Sequence, residues 1–423
     1  MPLFLLAFFW SLQQSQATFS AVEAEIIFKE MAACLEGENS QFWDSPLSTQ
    51  AILYDARTNR AACSTNPGLG VFEKQGEVWV GNMPTGPDMR RKVVTWVGQS
   101  WTIIRWPLPH EPSARKKETI GKLWYLQVKD LGVPMTAQEN AHLKTVEGRL
   151  WMRLEWRALA AALQSEGLAQ RGAIADAMTF RRQRRNMTEV AAYQEQAAEL
   201  VDGLAHYTGL MLSGETNPKM WLLDQLDDME KASDFSKDFP KWSGPAYGLL
   251  LDSLRPKWKK SLTANQDLGS MLEVGMKLII PPAWYEAANL RAKTYNLQQI
   301  RRAELERADF LNRRILEYQK RFLIEPHLEI PLSKLPIKED YANGVDLDGK
   351  GLYLQTLVHR DEWGRLVADD GVCLQLEGSK LTLPLPDEIS AEKVQGPNWV
   401  LFLEPGWEIV DGQREGDLLL VKP

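Results

Sequence analysis

The side chains best able to do hydrolytic chemistry in this chain are its five histidines, His110, His142, His206, His327 and His359, and no two of them lie four residues apart. That spacing matters because residues at i and i+4 share one face of a helix. In an HExxH helix two imidazoles hold Zn²⁺ and the Glu beside the first acts as general base. A carboxylate from a later helix completes the set and leaves one position open for water. His110 and Glu111 are followed by Pro112, which starts a turn rather than a zinc helix. In Glu199–Gly209, ELVDGLAHYTG, Asp202 and His206 stand one helical turn apart, and a partly exposed polar pair is expected of them, with weak metal binding as its alternative. His142 is expected to be a hydrogen-bonding loop residue. No GxSxG elbow, GxxxxGK[ST] loop or GxGxxG fingerprint is present. Asp346-Leu-Asp348-Gly349 would place Gly344 and Gln355 at the strongest ligand positions of a calcium loop, so a turn is expected there. The basic run Arg181–Arg185 is expected on a solvated helix end, with phosphate or lipid-headgroup binding as its alternative.

The stretch around Asp202 resembles the Asn-Glu-Gly-x-Ala element of gluzincin zinc metallopeptidases. Asp202 occupies the position of that family's third zinc ligand and is followed by Gly203, Leu204 and Ala205. WPLP at Trp106–Pro109, ENAHLKTVEGRLWMRLEWRAL at Glu139–Leu159, and PGW with REGDLLLV near the C-terminus are similar to a group of exported bacterial proteins. In that group a gluzincin-like HExxH helix lies between the WPLP and NAHL segments. With WPLP and Leu131-Gly132 kept in register, the HExxH slot falls on Gly121-Lys-Leu-Trp-Tyr125. The resemblance thus implies a vestigial site of Gly121, Lys122, Tyr125, Asp202 and His206, with no catalytic residue and with zinc lost. Gly offers no ligand, Tyr is a poor one, and an ammonium repels the dication. Charge is then expected to replace metal, with Lys122 and Asp202 within about 4 Å of one another.

The elements that would hold these residues follow from periodicity. Ser20-Ala-Val-Glu23 is a capping box opening a helix. Strand-like runs at Ala51–Tyr54, Val78–Val80, Lys92–Val97 and Trp101–Trp106 predict a small antiparallel sheet. From Ser113 to Leu323 the pattern is helical, with Ser113–Asp130, Val146–Gln164, Gly172–Arg185 and Thr188–Leu212 as the main candidates. An acidic, aromatic connection runs from Asp224 to Trp242, and Pro282–Phe322 reads as one long, charged, solvent-facing helix. Three prolines between Pro326 and Pro336 read as a linker, after which the period becomes two. The expected fold is therefore α+β: a region 18–110 with a small antiparallel sheet, a mostly helical gluzincin-like region 111–325, a linker 326–336, and an all-β domain 337–423.

Composition sets the outer bounds. With 423 residues, 44% hydrophobic and 25% charged, the chain is ordinary for a globular protein of two or three domains. A net charge of −7 argues against a general nucleic-acid binder. Residues 1–17 carry no charged side chain, hold an apolar run from Pro2 to Trp10, and end in Ser15-Gln16-Ala17. That pattern predicts a secretory signal cleaved after Ala17 and a periplasmic or secreted product with no transmembrane segment. Cys34, Cys63 and Cys373 allow one disulfide, Cys34 with Cys63, or three separate thiols. Three functions are open on these grounds: an inactive peptidase scaffold that binds a peptide or protein in the old cleft, an active hydrolase with an unrecognised nucleophile, or an envelope or carbohydrate-binding module using Trp399 and Trp407.

Overall fold

The computed structural model describes residues 18–136, 138–280, 284–336, 341, 344–377 and 379–423. The expected signal segment 1–17 lies outside them. The chain divides into two compact units, Met1–Arg302 and Ala303–Pro423.

The first unit opens with helix α1 (Ala21–Ala33), whose capping box forms as expected. Ser20 Oγ accepts from the Glu23 amide and the Glu23 carboxylate accepts from the Ser20 amide. Six strands follow: β1 (Ala51–Asp55), β2 (Arg60–Cys63), β3 (Phe72–Gln75), β4 (Val78–Asn82), β5 (Val93–Trp96) and β6 (Gln99–Arg105). They form one sheet in the order β3-β4-β2-β1-β6-β5, antiparallel except where β1 runs parallel to β6. Strand β5 is thus an edge. Cys34, Cys63 and Cys373 are all free thiols. Burial pushes the Cys63 thiol up to about 12.

The helical part of the unit contains α2 (Pro112–Asp130), α3 (Val146–Gln164), α4 (Gly167–Arg185) and α5 (Ala191–Ala198). A π-turn (Glu199–Gly203) joins α5 to α6 (Leu204–Leu212), and α7 (Pro240–Leu254) and α8 (Leu268–Gly275) follow. Glu111 caps α2 through the Ser113 and Ala114 amides, with Pro112 at the first turn where its missing N–H costs nothing. Thr145 caps α3 through the Gly148 amide. The connection Asp224–Trp242 carries short helices rather than plain loop. The long helix expected over Pro282–Phe322 is interrupted. Asn296 takes a left-handed conformation, and described helices run over Trp284–Ala292 and Leu297–Gln319.

In the second unit two sheets share one core. One has the order β10-β11-β16-β15-β14, and the other runs β17 (Glu408–Asp411), β18, β7, β13, β12 (Val372–Gln375), β9 (Leu352–Leu354) and β8 (Val345–Asp346). The first uses β10 (Leu357–Asp361), β11 (Gly364–Ala368), β14 (Glu388–Ile389), β15 (Lys393–Gly396) and β16 (Trp399–Leu403). In the second, β7 (His327–Pro331) is inner, flanked by β13 (Lys380–Pro384) and β18 (Leu418–Val421). The expected linker 326–336 therefore contains a strand. Its prolines bracket β7 at Pro326 and Pro331 instead of marking an unstructured tether. Leu328, Leu366, Leu381 and Leu401 fill the space between the sheets, together with Trp363 and Trp399. Asp346 accepts from the Gly349 amide in the turn expected there.

Candidate functional site

Helices α2 and α6 meet at backbone contact. A Cβ on Gly121 would lie 2.6 Å from the Ala205 carbonyl oxygen, and one on Gly209 would overlap the Lys117 carbonyl. On its other side the same rod meets α7, where a Cβ on Gly203 would lie 3.0 Å from Gly244 Cα. Only glycine permits these spacings. Gly121 is thus a packing residue, and the position has no room for an imidazole at this helix separation.

One turn on from Gly121, Tyr125 faces the same rod and donates its hydroxyl to Asp202 Oδ1 at 2.9 Å. Burial, then the Asp202 charge, holds the phenol well above its usual pKa, so it remains a donor. Beside it, Trp124 stacks on Trp43 with ring centroids 4.1 Å apart and donates its indole N–H to the Leu200 carbonyl at 2.7 Å. Leu200 lies in the π-turn, where the helical ladder is irregular and a carbonyl is free to accept a side-chain donor.

The cation on Asp202 is Lys92, not the expected Lys122. Lys92 Nζ lies 2.6 Å from Asp202 Oδ2 and also contacts Oδ1. The Ile103 amide, donating to the Lys92 carbonyl at 2.9 Å, fixes the start of edge strand β5 and aims this lysine at the helices. Lys122 is instead 3.9 Å from Glu118 Oε1, one turn earlier on its own helix. The reason is angular. Positions 121 and 125 point at α6, and position 122 is rotated about 100° from 121, onto the flank. Burial lowers the Lys122 pKa, opposed by Glu118 and Asp202. Both ammonium groups lie close to the Tyr125 ring, at 5.1 Å for Lys92 and 5.7 Å for Lys122.

His206 is exposed, with its imidazole partly desolvated by neighbouring protein atoms. That desolvation, then the Lys122 charge, lowers its pKa to about 4. Next to Asp202 there is a cleft of about 100 Å³, with Lys92, Gln138, Asn140, Ser236 and Pro240 among its walls; His206 does not line it.

A second polar centre lies behind this one, and sequence reasoning misread it. Arg181 and Arg184, expected on a solvated helix end, are 3% and 0% exposed. Arg181 pairs with Glu199 and, at 2.8 Å, with Asp267. Arg184 bridges Glu155 and Glu195, and Arg185 reaches Glu195 at 2.6 Å and Asp267 at 2.7 Å. His142, on the turn Ala141–Lys144, contacts Glu195 Oε1 through Nε2 at 2.7 Å. Four carboxylates face three guanidinium groups. Burial resists ionisation of Glu195, but Arg184 and Arg185 overcome it and hold that carboxyl well below its ordinary range. At Glu199 burial wins and the pKa is raised, which limits the excess negative charge. The clue in sequence was helical spacing: Glu195 and Glu199 fall one turn apart, as do Arg181 and Arg184 or Arg185.

Trp399 is 3% exposed, and Trp407 is partly buried against the same core. Among the described residues no group of three His, Cys, Asp or Glu side chains converges on a point where a metal ion could sit. Among the same residues no helix is long and apolar enough to cross a membrane. Comparison of the chain with protein-family models, curated proteins and solved structures finds no match in any of the three.

Proposed function

We propose that this chain is an exported, catalytically inactive relative of zinc metallopeptidases whose cleft beside Asp202 binds a peptide or protein segment. The observation that carries the reading is the contact of Tyr125 and Lys92 with Asp202. The resemblance assigns positions 121, 125 and 202 to one metal site; in support, Tyr125 touches Asp202, while Gly121 packs on Ala205 and Gly209 of α6. The residues there do not fit zinc. Gly121 supplies no ligand and abuts backbone, Lys122 is no general base, and the Asp202 carboxylate is already held by an ammonium and a phenol. An ammonium at the carboxylate repels a dication.

What remains is a polar cleft. Asn140 and Ser236 line it with Lys92 and Asp202, so donors and acceptors are available to a short peptide segment. The test has two parts. Purified full-length protein should contain less than stoichiometric zinc and should not hydrolyse casein; stoichiometric zinc with hydrolysis overturns the inactive reading. Peptides enriched from a casein digest should be lost with Ala198→Trp, which fills the cleft; enrichment that survives this variant removes the cleft from the proposal.

A further inference from the structure

The outer face of the five-stranded sheet in the second unit is built in transverse rows, and the register defines them. Val358 pairs with Val367, Val367 with Val400, Val400 with Gln395, and Gln395 with Glu388. The adjacent row reads Arg360, Arg365, Phe402, Lys393 across β10, β11, β16 and β15. All four residues of this second row are exposed, Phe402 to 46%. Their strand neighbours Leu366, Leu401 and Val394 point the other way, into the core.

Two features of the row need a partner. Arg360 and Arg365 are directly opposed, an arrangement that costs stability because like charges across a strand pair repel. Among the described residues neither enters an ion pair, and Lys393 reaches only the neutral Gln395 amide oxygen at 2.8 Å. Glu362 and Glu404 lie past the strand ends and form no ion pair with the row. The face therefore holds three uncompensated cations and one flat aromatic ring in a line. With a strand spacing of about 4.8 Å the line is roughly 14 Å long.

We propose that this row binds a linear acidic polysaccharide lying across the strands. Its carboxylates would meet Arg360, Arg365 and Lys393, and the apolar face of one sugar ring would cover Phe402. The shape of the charge argues for this occupant. A membrane would meet the whole face, including Gln395 and Glu388 in the valine row, whereas a linear polyanion touches only the cations. An acidic peptide laid in this direction would find no backbone partners, because β11 and β16 spend theirs on neighbouring strands. A polysaccharide needs only side chains.

The test is affinity gel electrophoresis of the full-length protein in gels containing polygalacturonate, with dextran as the neutral control. Flotation with phosphatidylglycerol vesicles and retardation by poly-glutamate run in parallel. Polygalacturonate should retard the protein, less so as salt rises, and dextran should not. The double variant Arg360→Gln/Arg365→Gln should bind at least about tenfold more weakly with an equal or higher Tm, since it relieves a like-charge pair. Phe402→Ser should weaken binding at unchanged salt dependence. Absence of retardation, equal retardation of the double variant, or stronger binding to vesicles or poly-glutamate each overturns the proposal.

Discussion

Lys92 and Asp202, 110 residues apart in the chain, meet so that one ammonium touches both oxygens of one carboxylate. Each side chain keeps about a third of its surface in water, 30% and 33%. The pair joins the edge of the N-terminal sheet to the middle of the α5–α6 rod, so it clamps two layers as well as balancing a charge.

Partial exposure keeps the expected energy small. A double-mutant cycle with Lys92→Met and Asp202→Asn should give a coupling of about 1 kcal/mol, shrinking with added salt. Urea unfolding at two ionic strengths measures it. A coupling indistinguishable from zero at low salt would show that the contact contributes nothing.

Gly121→Ala tests the helix contact. The new methyl would press on the Ala205 carbonyl, and overpacking of this kind costs about 1–3 kcal/mol. The triple change Gly121→His, Lys122→Glu, Tyr125→His should accordingly yield a less stable protein without a tight zinc site. Zinc titration followed by thermal unfolding reads both outcomes, and a zinc-dependent rise in Tm would contradict them.

Much of this architecture is legible in the chain. Helix α3 spans the expected Val146–Gln164 because Leu150, Trp151, Leu154 and Ala158 set its period and Thr145 caps it. The capping box at Ser20 and the strand Trp399–Leu403 are equally plain. Strand β2, Arg60-Ala-Ala-Cys63, was hidden because it has no β-branched residue and draws its stability from neighbours on both sides. Of the site, Tyr125 and Asp202 were identifiable, but Lys92 was not, since its partner is chosen by sheet placement. The Arg181–Arg185 run failed for a related reason. Its counter-charges come from Glu155, Glu195, Glu199 and Asp267, and a local charge count sees none of them together.

His206 should impose a pH dependence. Its folded pKa of about 4 lies below the ordinary 6.5. Between these values the unfolded chain binds the proton and the folded chain does not, so stability rises with pH through that window. The contribution is complete above about 6.5 and is lost as pH falls towards 4. His206→Gln should flatten the slope of Tm against pH between these limits, and the imidazole resonance of His206 should titrate near 4 in NMR spectra. A midpoint near 6.5 would refute the desolvated placement.

The buried arginine cluster should be the most sensitive part of the molecule. Arg184→Met leaves Glu155 and Glu195 facing one another with too little positive charge, and breaking a buried pair in this way costs about 3–5 kcal/mol. Thermal unfolding, or loss of soluble expression, reports the effect. Glu195, with its depressed pKa, adds an acid limit: its contribution is present above the ordinary carboxyl range and is lost as pH falls below it.

The π-turn Glu199–Gly203 has a consequence for how the rod can be edited. In a regular helix residues three apart share a face, so Glu199 and Asp202 would point the same way. Here Glu199 is 1% exposed and turned to Arg181, while Asp202 opens towards the cleft. The wide turn works as a phase shifter, letting α5 serve the arginine cluster and α6 serve the glycine seam with α2. Deleting one residue from this turn would wind the rod into a continuous screw, rotating everything beyond it by about 100°. Either the carboxylate would leave its arginine or Gly209 would leave Lys117; the two halves cannot both stay in register without the extra residue.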